Sequence, residues 1–205
     1  MTETLASPLP QTLLALAGRT IPLPDLATST LVSIDLQNEY LAGPLVLDGA
    51  EAAVAAAARL LAAVRAAGGR VVHVAHAGRA GSLFDRAAER GAFAAAVAPR
   101  PGEAVVEKRL VSAFQGTDLA EHLPAPGAAT LIVAGFMTHN CVSSTVREAG
   151  DRGHTIVVAT DACATRALPG PGGGIVSAAA LGAAELAGLG DRFARLASVA
   201  EIVGA

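Results

Sequence analysis

The sequence predicts an α/β fold in which a mostly parallel, six-stranded sheet is covered by helices on both faces. Three observations carry that expectation. Short β-branched apolar runs alternate with stretches of helical periodicity almost throughout. The runs place apolar residues at consecutive positions, as strands buried on both faces do. A chain of 205 residues, 52% of them hydrophobic, supplies one good-sized core and not comfortably two.

Residues 1–29 carry four prolines and little periodicity, and read as an arm that packs on something, a second subunit included. Residues 30–205 form the domain. Thr30-Leu-Val-Ser-Ile34 is the first buried strand, with Asp35 at its end. Gly49 to Ala67 is a long Ala-rich helix stopped by Gly68 and Gly69. Arg70 to Ala75 is the second strand. Residues 77–102 are irregular, and a long connection in a compact domain is often a functional one. Ala104 to Lys108 is the third strand, and Thr117 to Leu123 a short helix capped by Thr117 or Asp118. Thr130 to Ala134 is the fourth strand and Thr155 to Ala159 the fifth. A helix from about Ile175 to Leu189 and a strand near Phe193 to Leu196 complete the chain. Pro169 to Gly174 reads as a flexible connector.

Composition narrows the function classes. A net charge of −3 without a basic cluster argues against nucleic acid as a partner. No apolar stretch is long enough to span a membrane. Two cysteines do not make a disulfide framework, and with no positive n-region at the start the expected setting is the cytoplasm. Neither a dinucleotide fingerprint nor a Walker loop follows the first strand, so no nucleotide cofactor is expected.

The chemistry gathers around Val133 to Arg147. Gly135 breaks the fourth strand, and from Cys141 the pattern turns helical through Val142, Thr145, Val146 and Ala149. A cysteine at the first turn of a helix faces unsatisfied N–H groups and the positive dipole end, which favour thiolate. A parallel sheet brings three residues to the carboxyl ends of its strands: Asp35, Lys108 and Cys141. A carboxylate can accept a thiol proton, and a lysine nearby holds the resulting anion. Singly, each has a plainer role: Asp35 capping a turn, Lys108 pairing with Glu103 or Glu107 in solvent, Cys141 as a small core hydrophobe.

Four stretches, in order, resemble the isochorismatase-like cysteine hydrolases. They are Leu31-Val-Ser-Ile-Asp-Leu-Gln-Asn-Glu-Tyr40, Val106-Glu-Lys-Arg-Leu-Val-Ser-Ala-Phe-Gln-Gly-Thr-Asp-Leu119, Gly135-Phe-Met-Thr-His-Asn-Cys-Val-Ser-Ser-Thr145 and Thr160-Asp-Ala-Cys-Ala-Thr165. The resemblance runs from about Thr30 to the C-terminus. It implies a Rossmann-like three-layer α/β/α sandwich and an Asp35–Lys108–Cys141 triad that cleaves a small amide through a thioester. It further implies an oxyanion hole from the Met137 and Cys141 N–H groups, and a cis peptide between Phe136 and Met137 that aims the former. Dimers or tetramers are common in such a family.

Departures from the pattern bear on the substrate. Glu39-Tyr40 stands where Asp-Phe is usual, so a phenol joins the pocket wall. The second strand ends in His73-Val-Ala-His76 without the Asp-x-His of metal-holding relatives, and no metal is expected. Gln37, Tyr40, His76, Phe84, Phe114 and Thr138 are the candidate substrate contacts. The expected substrate is a small, uncharged amide. Alternatives are vinyl-ether cleavage of an isochorismate-like compound and a non-catalytic binding protein on the same fold.

Overall fold

A computed structural model describes residues 10–204. In chain order the strands are β1 (Thr30–Ile34), β2 (Arg70–His76), β3 (Ala104–Lys108), β4 (Thr130–Phe136), β5 (Thr155–Ala164), β6 (Leu168–Pro169), β7 (Ile175–Val176) and β8 (Arg195–Ala197). Six of them form one sheet in the order β3-β2-β1-β4-β5-β8, with every neighbouring pair parallel. The helices include α1 (Leu13–Leu16), α2 (Glu39–Ala42), α3 (Ala50–Ala67), α4 (Leu119–His122), α5 (Ser143–Asp151), α6 (Ala178–Arg192) and α7 (Val199–Val203). The architecture is the expected three-layer α/β/α sandwich.

Alternation along the strands feeds two cores. Leu31, Ile132, Ala134 and Phe136 face α3 and α7, where Leu60, Leu61, Val64 and Ile202 meet them. Val32, Ile34, Leu131 and Val133 face the other way, onto Leu119, Val142, Val146 and Leu189. Both faces are therefore buried, which is why these strands are apolar at consecutive positions. The core of α3 is built on Ala53, Ala57, Leu60, Leu61 and Val64 at three- and four-residue steps, and Gly68 at φ +80° ends the helix.

Several boundaries differ from the sequence expectation. β5 continues to Ala164 because a register shift after Val133 lets its second half pair with Gly135 and Phe136. The Pro169–Gly174 segment closes a small β6–β7 hairpin, so α6 begins only at Ala178, where the Ser177 hydroxyl accepts the Ala180 N–H at 3.1 Å. The described part of the N-terminal arm lies against its own chain: the Leu13 N–H donates to Asp191 at 2.8 Å, and Arg195 donates to the Ile21 carbonyl.

The order of the sheet decides where chemistry can occur. Connections run one way from β1 to β3 and the other way from β4 to β8, so the crevice opens at the carboxyl ends of β1 and β4.

Candidate active site

Asp35 is the first residue beyond β1 and sits in the left-handed region at φ +51°, unusual for a residue other than glycine. Its N–H donates to the Val74 carbonyl at 2.9 Å, and its carbonyl accepts the Gln37 N–H at 2.8 Å. Both ends of the turn are thus tied down, and the strained conformation is maintained by the surroundings.

β4 reaches the crevice through Gly135, whose φ is +125°. A Cβ at that position would lie 1.9 Å from the Ile34 carbonyl oxygen, so no other residue passes there unchanged. The chain then enters a π-helical turn, Thr138–Val142, marked by the Val142 N–H donating to the Met137 carbonyl at 3.2 Å. Such turns frequently mark functional sites, and this one carries Cys141 into α5. The Cys141 carbonyl accepts the Thr145 hydroxyl at 2.7 Å, and Thr145 Oγ1 accepts the Ala113 N–H at 3.0 Å. One buried threonine therefore ties the cysteine-bearing turn to the segment after β3.

Lys108 is the last residue of β3, just before that segment. Its chain reaches across the end of β2, placing Nζ 2.8 Å from Asp35 Oδ2 and 3.1 Å from Cys141 Sγ. All three side chains are buried; Asp35 and Lys108 have no exposure at all. The solvent pairing considered for Lys108 is not formed, since Glu103 is held by Arg65 and Glu107 by Arg86. Asp35 lies close to Nζ but makes no well-aligned hydrogen bond through either oxygen among the described residues. Charge, more than directed hydrogen bonding, holds it.

The protonation states follow from burial and these neighbours. Burial pushes the Cys141 thiol up to about 12, the Asp35 carboxylate adds to the rise, and Lys108 only partly opposes it. The direction is opposite to the lowering expected of a helix's first turn. Burial works against the Lys108 ammonium, yet the charges of Asp35 and Cys141 carry its pKa above the ordinary lysine value. Both shifts favour an ammonium at Lys108 and a protonated thiol at Cys141. Asp35, His76 and Cys141 offer ligand atoms within 4.8 Å of one another, a spacing that could hold a cation. The cation these residues already share is Lys108's.

The remaining sequence candidates divide. Tyr40 is buried edge-on to Phe136 and beside Phe84, and burial together with the charges of Asp35 and Cys141 raises its phenol pKa. Phe84 packs its ring on His76 at 5.0 Å and adopts φ +58°, its N–H held by the buried Glu39 carboxylate at 3.0 Å. Thr138 is buried at the start of the cysteine-bearing turn. These three stand around the site.

Two others do not. The Gln37 amide is fully spent on backbone: Oε1 accepts the His76 N–H, and Nε2 donates to the His76 and Gly91 carbonyls. It brackets the end of β2 and has no group left for a substrate. Phe114 lies beneath the guanidinium of Arg152 and beside His154, at the opposite edge of the sheet, so it is core.

The expected cis peptide is also corrected. The Phe136–Met137 bond is trans, as is every peptide bond among the described residues. Gly135 takes up the sharp change of direction instead, and the reason for assigning the Met137 N–H to an oxyanion hole goes with the cis bond.

One residue was missed. Arg166, just beyond β5, has its Nε buried without a hydrogen-bond partner among the described residues. Its charge acts on both Tyr40 and His139, which places it at the rim. Its signal in the sequence was a lone cation at a strand's carboxyl end.

The family model described as an isochorismatase domain matches residues 29–188. The chain belongs to the isochorismatase family. An isochorismatase crystal structure from Pseudomonas putida has a TM-score of 0.90 to it at 43% identity, covering 95% of this chain and 100% of that one. The secreted isochorismatase effector Isc1 of Verticillium dahliae is 38% identical over 175 residues, 85% of this chain and 90% of that protein. Isochorismatase-family relatives also include amidohydrolases. The maleamate amidohydrolase of Pseudomonas putida is 36% identical over 146 residues, 62% of this chain and 68% of that one. Among the described residues, no helix is long and apolar enough to cross a membrane.

Proposed function

We propose that this enzyme hydrolyses a small amide bearing a carboxylate, through a thioester on Cys141. The observation that carries the reading is the buried contact of Lys108 Nζ with both Asp35, at 2.8 Å, and Cys141, at 3.1 Å, in the crevice of the sheet. With the thiol pushed up to about 12, its proton leaves only as attack proceeds, and Asp35 is the base placed to take it. The sulfur bonds to the amide carbon, and the carbonyl electrons move to oxygen. The Cys141 N–H in the first turn of the helix faces that oxyanion. The intermediate collapses with loss of the C–N bond, the amine taking the proton from Asp35. Water, deprotonated by the same carboxylate, then cleaves the thioester and returns the thiol. Lys108 remains a cation throughout and compensates whichever partner is anionic.

The carboxylate preference comes from Arg166. Its Nε, buried without a hydrogen-bond partner among the described residues, favours a substrate anion over the uncharged amide expected from composition. Maleamate, which names one relative's substrate, has that chemistry. The two free cysteines, Cys141 and Cys163, suit a reducing compartment, and we take the cytoplasm as the setting.

The test is ammonia release from a panel of primary amides and ureides, with and without a carboxylate, by wild type and Arg166→Leu. The expected result is turnover of carboxylated members, with the substitution raising KM about tenfold or more for them and leaving neutral amides unaffected. Equal KM values for wild type and variant would remove Arg166 from recognition. Silence across the panel would overturn the amidase reading and turn attention to vinyl ethers.

A further inference from the structure

His76 ends β2 and pairs in register with Lys108, the last residue of β3. Its Nδ1 lies 3.1 Å from Lys108 Nζ. An ammonium has three protons and accepts nothing, so here Nδ1 must be the acceptor. The ring is then neutral, with its own proton on Nε2. Burial and the neighbouring ammonium both lower the His76 pKa, against the pull of Asp35, which agrees with a neutral ring.

The ring is aimed independently of the lysine. Gln37 holds the His76 N–H at 2.9 Å and its carbonyl at 3.0 Å, and Phe84 packs against the imidazole face. Lys108 has no such fixture, being a flexible four-carbon arm within reach of Asp35, Cys141, His76 and the Leu110 carbonyl, itself at 3.2 Å. A fixed acceptor on the β2 side settles where Nζ stands.

We propose that His76 is a positioning residue that keeps the Lys108 ammonium between Asp35 and Cys141 by accepting a hydrogen bond at Nδ1. The proposal rests on the Asp35–Lys108–Cys141 reading and extends it. It also gives Gln37 a purpose: the buried amide orients the backbone of the residue that orients the lysine.

The experiment compares wild type, His76→Leu, His76→Asn, His76→Gln and, as a control on the parent reading, Cys141→Ala, on the best amide of the panel. Asparagine can present its amide oxygen where Nδ1 stands; glutamine reaches to the place of Nε2. The expected result is a kcat about tenfold lower in His76→Leu with KM little changed, since one hydrogen bond to a charged group is lost. His76→Asn recovers most of that loss and His76→Gln does not. Wild-type kcat in His76→Leu, or an effect on KM alone, would overturn the proposal, as would rescue by glutamine and not asparagine. If the leucine variant fails to fold, the two amide variants still decide. If Cys141→Ala turns over like wild type, the parent reading has failed; if it is inactive while His76→Leu is normal, only the positioning role has.

Discussion

Two clusters flank β2, each made of a carboxylate, a cation and a histidine, and they differ in how completely the carboxylate is satisfied. Toward the amino end, Glu103 takes Arg65 on both oxygens, at 2.7 and 2.8 Å, the His73 ring at 2.9 Å and the Arg100 N–H at 2.7 Å. Three residues further along β2, beside His76, Asp35 has one close cation and, among the described residues, no well-aligned hydrogen bond, and that cation is shared with a thiol, a histidine and a carbonyl. The first arrangement more than offsets the cost of burial and leaves the carboxylate fully engaged. The second retains an under-satisfied carboxylate beside a protonated sulfur, as a group that must exchange a proton requires. The same three kinds of group, a carboxylate, a cation and a histidine, are thus arranged for satisfaction in one place and for availability in the other.

Breaking one cluster should cost activity and breaking the other should cost stability. Asp35→Asn is expected to lower kcat by on the order of a thousandfold or more while the fold persists, measured by ammonia release and circular dichroism. Substantial turnover by that variant would mean the proton goes elsewhere. Glu103→Gln is expected to cost about 1–3 kcal/mol in denaturant unfolding while kcat stays within about twofold. Burial raises the Glu103 pKa, but Arg65, Arg100 and His73 outweigh it and bring it to about 2, from an ordinary 4.5. Because the folded value is depressed, its stabilisation is complete above about pH 4.5 and is lost as pH falls towards 2. The acid-unfolding difference between wild type and Glu103→Gln should close across that window. A constant difference would place the stabilisation elsewhere. The smallest effect concerns the free thiol. With Cys141 held at about 12, the rate of its alkylation by iodoacetamide should still be climbing at pH 10, where an ordinary thiol near 8.5 has levelled. A plateau below pH 8 would restore the activated thiolate.

The fold and the site's floor were legible because burial writes itself into sequence. Strands covered on both faces must be apolar at consecutive positions, which marked β1, β2, β4 and β5 and so the ends where Asp35 and Cys141 stand; β3, at the sheet's edge, buries only alternate residues, Lys108 among them. What lies above the floor was not, because a side chain's partner is a three-dimensional fact. Gln37 follows Asp35 by two residues, but only the tertiary structure gives its amide to His76 and Gly91 rather than to a substrate. Phe114 belongs to a recognisable stretch, yet the stretch doubles back, carrying the ring to the other edge of the sheet. The upward pull on the thiol was not legible because a helix terminus is visible in sequence and loss of hydration is not. Arg166 carried no mark beyond its place after a strand.

The most direct test of a Cys141 thioester is intact-mass and peptide mass spectrometry of enzyme quenched in acid during turnover of its best amide. A thioester places the substrate's acyl mass, less the amine, on the peptide containing Cys141 in wild type. That mass should be absent from Cys141→Ala, which should release no ammonia. Undiminished ammonia release by Cys141→Ala would contradict it.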